Sequence, residues 1–443
     1  MSRRNLQITP SNVTSTGKVS FKSGNPVLQF IIGEADMNLI GSSVRLCGQY
    51  RVRGNSTDTD DIPQNASQIR TSEALGVFAS MEQLVIKSQA THQVIEEIKS
   101  YNRFMGSYLP VTSSHEDNLT HLSQQTLVLP NYNAHKISVT DAPNGNTTDG
   151  GMTQGNSFCC HLPCGLFNGK VPIPLAPNSQ GGLGGILVEI HLSPDANVLF
   201  SQNGTTTDMA DAFYELSDVY LTAEAVVGDG SSNPAGTFEF NSISSYFTTF
   251  NAKNAVINFN LGLSRVLGVF GNITSASHIN TVTANGLANN NPVNSDYARA
   301  PIDQLFFLRG GEKFPIEYNI DTIHRATPTN RNVDSQVAME YMNAIQKFSS
   351  IGRTMAGPRT LANYSTTFNT PTGSMNERIN GGGVMGVGVS YDVISGEGVD
   401  FSSVNFGINM DVGLTTDNPQ ALYLFVHSKQ TVAFSGNGIQ IIR

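Results

Sequence analysis

Apolar positions in this chain alternate more often than they recur at helical spacing. In VSFKSGNPVLQFIIG (19–33), Leu28, Phe30 and Ile32 fall on one face and Val27, Gln29 and Ile31 on the other. Pro26 stands at the entrance, where a missing N–H costs a strand least. MNLIGSSVRLCGQYRVR (37–53) is a second strand region, and a polar loop covers 54–70. Residues 81–109, MEQLVIKSQATHQVIEEIKSYNRFMGSYL, begin as a strand and then change period. Val94, Ile98, Tyr101 and Met105 recur at i, i+4, i+7 and i+11, which predicts a helix with one apolar stripe. Further strands are predicted at 125–129, 158–175, 185–192 and 216–227.

GDGSSNPAG (228–236) interrupts the pattern with three Gly, two Ser, an Asn and a Pro, and is read as a domain boundary. Strands are predicted again at 255–271, 302–322, 384–393, 404–414 and 421–442. A helix is predicted at 333–348 from the stripe Val333, Val337, Tyr341 and Phe348. A shift of 221 lays Met81–Leu84 on Ile302–Leu305, Ile95 and Glu96 on Ile316 and Glu317, and Gly41, Ser43 and Leu46 on Gly262, Ser264 and Leu267. A shift of 222 brings Ile186, Glu189 and Ile190 onto Ile408, Asp411 and Val412. The expected organisation is therefore an N-terminal arm (1–17), a strand-rich domain (18–228), a linker (229–236) and a second copy (237–443).

Composition supports an all-β chain. Of its 443 residues only 14% are charged, while 42 Gly and 19 Pro supply the dihedrals that many turns require. The net charge of −9 argues against a broad nucleic-acid surface, which needs clustered Lys and Arg. Arg3 and Arg4 are read as part of a solvated tail. No run approaches the ~18 apolar residues of a spanning helix, and MSRRNLQITPSN lacks the apolar region of a signal peptide. Sequons at Asn12, Asn55, Asn65, Asn118, Asn146, Asn203, Asn272 and Asn363 are read as a consequence of composition.

Candidate chemistry is thin. In CCHLPCGLFNGKVPIPLAP (159–177) the thiols of Cys159, Cys160 and Cys164 lack the paired spacing of a zinc site, and Cys47 is remote in sequence. On a strand, Cys160, Leu162 and Cys164 share one face and Cys159, His161 and Pro163 the other, so the segment reads as packed wall. In HEDNLTH (115–121) the two histidines are six apart, which misses the i, i+4 spacing of a zinc protease. GGGVMG (381–386) satisfies a dinucleotide pattern but lies between a polar loop and a strand. STDTDD (56–61) has Ile69 where a calcium loop would place Glu, and Lys170 is followed by Val171 rather than Ser or Thr. The expectation is no catalytic residues, no cofactor-binding residues, no metal ligands and no enzyme activity. A duplicated β protein of low charge suits a shell-building subunit, or a receptor- or carbohydrate-binding fibre or adhesin. A two-domain cupin enzyme would need clustered His with a nearby Glu, and neither His161 nor His191 has such companions.

LPCGLFNGKVPIPLAP followed by GGLGGILVEIHL (162–192) resembles the double jelly-roll major capsid proteins of eukaryotic double-stranded DNA viruses. There a leucine-proline…proline-leucine strand leads through a loop to a strand of the I-x-V-E-I kind. EQLVIKSQATHQVIEEIKSYNRFMGSYL (82–109) is similar to their strand that enters a helix after I-E. YELSDVYLTAEAVV (214–227) and ALYLFVHSKQTVAFSGNGIQI (421–441) resemble the last strands of their two jelly rolls. The likeness runs from about residue 18 to the C-terminus and points toward polinton-like viruses, adintoviruses and virophages, although this chain has no Trp. It implies two consecutive eight-stranded antiparallel jelly rolls with short helices and long loops. It also implies a homotrimeric, pseudo-hexagonal capsomer in an icosahedral shell, with neighbouring capsomers, penton and minor capsid proteins as partners and no specific nucleic-acid binding. The polar loops at 54–70, 111–124, 143–157 and 274–300 would form outward towers or contacts between subunits.

Overall fold

The computed structural model describes residues 2–13, 17–22, 24, 26–53, 69–71, 75–112, 125–127, 156–201, 213–227, 236–251, 254–275, 288–289, 304–315, 320–321, 333–346, 386–391, 397–411, 420–435 and 438–443. Most of the four polar loops, with HEDNLTH and STDTDD inside them, most of GGGVMG and nearly all of the linker lie outside the described residues. So do the sequons at Asn55, Asn65, Asn118, Asn146, Asn203 and Asn363.

The first half contains β1 (Ser2–Ile8), β2 (Lys18–Val19), β3 (Val27–Ile32), β4 (Met37–Arg53), β5 (Ile69–Thr71), β6 (Met81–Ser88), β7 (Val94–Lys99) and helix α1 (Tyr101–Thr112). It continues through β8 (Asn156–His161), β9 (Ile173–Pro174), β10 (Ile186–Leu192), α2 (Asp195–Val198), β11 (Leu199–Ser201) and β12 (Phe213–Val227). One sheet has the order β1-β12-β4-β8, with β2 also on β12 and β9 on β4; the other has the order β3-β10-β6-β7.

The second half contains β13 (Thr237–Phe250), β14 (Asn254–Phe259), β15 (Val266–Ser275), β16 (Ala288–Asn289), β17 (Gln304–Arg309), β18 (Glu312–Lys313), β19 (Ile320–Asp321) and α3 (Val333–Gln346). The chain closes with β20 (Val387–Ser390), β21 (Phe406–Asp411), β22 (Gln420–Ser435) and β23 (Gly438–Ile442). Its sheets run β13-β22-β15-β20 and β14-β21-β17-β18, with β19 also on β17.

Numbered by chain order among eight main strands, each half has one sheet ordered 1-8-3-6 and a second ordered 2-7-4-5. That is the jelly roll, and it occurs twice. The duplication is one of strand order, without a constant offset. The seventh strands begin at Ile186 and Phe406, the sixth at Asn156 and Val387, and the eighth at Phe213 and Gln420. Loop lengths have diverged between the copies while the order in which strands pair has not.

Alternation explains most of the strands. Leu28, Phe30 and Ile32 are buried as predicted, and Ile186, Val188 and Ile190 face the same core from the neighbouring strand. In β12 the buried parity changes from Tyr214 and Leu216 to Leu221, Ala223 and Ala225. The change falls at Asp218, at φ 51°, where the register on β4 slips between Ser217 and Tyr220. A bulge there carries an extra residue and returns the following side chains to the core.

Three local expectations change. The predicted helical stripe starts too early, because Val94–Lys99 is strand β7, paired with β6. Val94 and Ile98, four residues apart, fit either period; pairing with β6 decides, and Ser100 at φ 52° separates strand from helix. From there Tyr101, Phe104, Met105 and Tyr108 form the buried stripe of α1. Gln125–Leu127, expected to open a strand, is a helical turn ending at Leu127, φ 59°. Thr126 and Leu127 are buried against Gly76, whose hypothetical Cβ would meet the Thr126 carbonyl at 2.2 Å, so this plug requires glycine at 76. Residues 2–8, expected as an arm, form an edge strand on β12, and Arg3 pairs with Glu224.

Candidate functional site

Among the described residues no three of His, Cys, Asp and Glu are placed to share a metal ion. The chain's notable chemistry lies instead where the two barrels meet and on the outer faces of the first.

The seam is built by α1. Phe104 lies 6.0 Å from Phe270 and 5.4 Å from Phe425 between ring centroids, so a helix of the first half rests on the β15–β22 pair of the second. Arg103 places its guanidinium 5.0 Å from the centre of the Tyr423 ring. Asn272 donates from Nδ2 to Ser107 Oγ at 2.7 Å, and the Tyr341 hydroxyl donates to the Ser107 carbonyl. Buried residues of both halves, including Phe238, Phe240, Ile243, Phe270 and Tyr341, belong to one continuous apolar cluster with the first core. The second barrel keeps its own core around Phe307, Phe401, Phe406 and Ile408.

Glu96 is the polar centre of this seam. It is 2% exposed and accepts backbone N–H bonds from Gly165 (2.8 Å), Leu166 (2.8 Å) and Ile243 (2.7 Å). The first two donors belong to the first barrel and the third to β13 of the second. Burial pushes its carboxyl up to about 7, against the pull of the three donors toward the ionised form. A Cβ on Gly165 would come within 2.3 Å of the Asn241 carbonyl, so β13 can approach this turn only because 165 is glycine. The I-E motif and the LPCG motif, 69 residues apart, therefore meet at one clasp.

CCHLPCG serves as wall in the described structure. Cys160 and Cys164 are fully buried, and Cys164 Sγ accepts the Phe167 N–H at 3.3 Å. Tyr101 donates to the Pro163 carbonyl at 3.0 Å. His161 lies on the opposite face, with Nδ1 2.9 Å from the Val44 carbonyl and Nε2 3.0 Å from the Asn168 amide; burial lowers its pKa. His191 lies 4.0 Å from Glu189, whose carboxylate accepts Lys87 Nζ at 2.6 Å and Gln29 Nε2 at 3.1 Å, tying three strands together. Glu224, paired with Arg3, likewise ties an edge strand to its neighbour.

Sequence reading missed one juxtaposition. Cys47 stands directly opposite Cys159 across the β4–β8 pair, with the sulfurs 2.7 Å apart. Alternation separated Cys159 from the face of Cys160 and Cys164, but nothing in the local sequence says that β4 and β8 are neighbours in this register.

No protein-family model matches the chain, and no curated protein matches it in sequence. Solved structures do match. The chain aligns with PBCV-1 VP54, as fitted into a cryo-EM reconstruction of the virophage Sputnik, at TM-score 0.55 and 11% identity, covering 100% of this chain and 96% of that one. A chain of the Sputnik virophage structure gives TM-score 0.52 and 12% identity, with 100% and 88% covered. The Faustovirus major capsid protein gives 0.53 and 9%, with 98% and 90% covered. At such identities the likeness is one of fold, and it extends through both jelly rolls.

Proposed function

We propose that the chain is a viral major capsid protein, a structural subunit without catalytic activity that resides in the virion. The observation that carries this reading is the fusion of two barrels of identical strand order through a buried seam. A rigid tandem of like domains lets three chains present six similar barrels, so that a threefold particle can occupy a sixfold position in a lattice. The likeness in fold to a protein whose name is major capsid protein supports the same reading.

The subunit forms homotrimeric, pseudo-hexagonal capsomers of an icosahedral shell, with a first jelly roll that runs from β1 to residue 228 and a second over 237–443, joined by the 229–236 linker. Its partners are copies of itself and, at vertices and between capsomers, penton and minor capsid proteins. Equivalent strands of the two barrels support such packing. Ile31 on β3 and Val256 on β14 are 41% and 58% exposed, and each strand is the second of its barrel and the edge of its sheet. Apolar side chains on matching edges are suited to repeated contacts with neighbours. The test is light scattering after size exclusion. A particle near three times 47.6 kDa, or larger shells, is expected. A monomer at all concentrations up to the micromolar range, binding glycans, would replace this reading with the adhesin.

A further inference from the structure

We infer that Cys47 and Cys159 form a dithiol–disulfide modification site on the outer face of the first barrel, whose oxidant is a low-molecular-weight disulfide of the glutathione class. The inference goes beyond the capsid reading and stands independently of it.

Geometry carries the argument. The two residues face one another in antiparallel register, and directly opposed strand residues have Cα atoms about 4.5–5.5 Å apart, inside the window a disulfide requires. Their sulfurs, 2.7 Å apart, need a small further approach to reach the S–S bond length of about 2.05 Å. Both thiols are free in the structure. They differ in access as an attacking and a resolving thiol should. β8 is the edge strand of its sheet and Cys159 is half-buried, whereas Cys47 is buried on β4, between Tyr220 of β12 and Cys159.

The local electrostatics favour the same order of events. The hydrogen bond from Cys47 lowers the Cys159 pKa to about 7, with Arg45 adding to the effect, while that of Cys47 is raised. A thiolate on the accessible sulfur is the nucleophile that exchange needs. Cys159 attacks one sulfur of the oxidant, whose S–S bond breaks and releases one thiol, leaving a mixed disulfide on Cys159. Cys47 then loses its proton and attacks Cys159 Sγ, expelling the second small thiol. Two protein thiols are oxidised to one disulfide, and one small disulfide is reduced to two thiols. The bridge would join residues 112 apart and pin β8 to β4, closing when the chain passes from a reducing to an oxidising compartment.

The experiment incubates the native full chain with oxidised glutathione, quenches with acid and counts thiols after unfolding. Two of the four thiols should disappear, since Cys160 and Cys164 are sealed in the core, and non-reducing peptide mass mapping should find Cys47 joined to Cys159. Cys47→Ser should halt at one glutathione held on Cys159, and Cys159→Ser should take up none. Retention of all four thiols in the native parent, or a bridge between any other pair, would overturn the proposal. So would glutathione on Cys47 in the Cys159→Ser chain, because it would remove the assigned order of attack.

Discussion

Replacing Glu96 with alanine tests whether the two barrels are held by a specific clasp or merely by apolar area. The substitution removes the acceptor for three buried N–H groups, those of Gly165, Leu166 and Ile243. An orphaned buried donor costs about 1–3 kcal/mol, and relief of the buried carboxyl offsets part of the sum, so a loss of about 3–5 kcal/mol is expected. Urea unfolding at pH 6 measures the loss, and hydrogen exchange read by mass spectrometry locates it. The amides of Gly165, Leu166 and Ile243 should exchange faster while those of β10, deep in the first barrel, should not. Titration supplies a second readout. The native carboxyl keeps its proton up to about 7, whereas its ordinary value is 4.5. The native state therefore binds more protons than the unfolded chain between those values. Stability from this group falls as pH rises through 4.5 to 7 and is level above about 7, an amplitude of about 3 kcal/mol. Glu96→Gln, which cannot titrate, should lack this component. A loss under about 1 kcal/mol in Glu96→Ala, or the same slope with pH in Glu96→Gln as in the parent, would refute the clasp.

Gly165→Ala should destabilise by about 1–3 kcal/mol, because its Cβ meets backbone on β13 that can yield only by moving the strand; thermal unfolding measures this. Phe104→Ala removes the ring between Phe270 and Phe425 and should cost about 3–5 kcal/mol in urea, with loosened protection in both α1 and β15. Tyr341→Phe deletes only the hydroxyl that donates to the Ser107 carbonyl and should cost about 1–2 kcal/mol in the same assay. Arg3→Ala should change stability by less than about 1 kcal/mol, since its partner Glu224 is an exposed surface pair; a larger loss by chemical denaturation would mean that β1 depends on it.

The amino-acid sequence by itself determined the strand-rich class, the division into two similar halves and the inward faces of most strands. Those properties are written at a period of two, which any local window can read. It also placed Cys160 and Cys159 on opposite faces, because alternation needs no knowledge of the partner strand. What it could not decide is written between strands. The segment Val94–Lys99 satisfied helical and extended periods alike, and only the free edge of β6 selected the strand. The N-terminal residues carry too few apolar side chains to reveal a strand, yet main-chain pairing with β12 makes them one. The clasp at Glu96 joins donors 69, 70 and 147 residues away, and the Cys47–Cys159 pair joins residues 112 apart. Such meetings depend on which strands become neighbours and in what register. That is settled by burying two whole sheets against each other, a property of the assembled barrel that no stretch of the chain encodes alone.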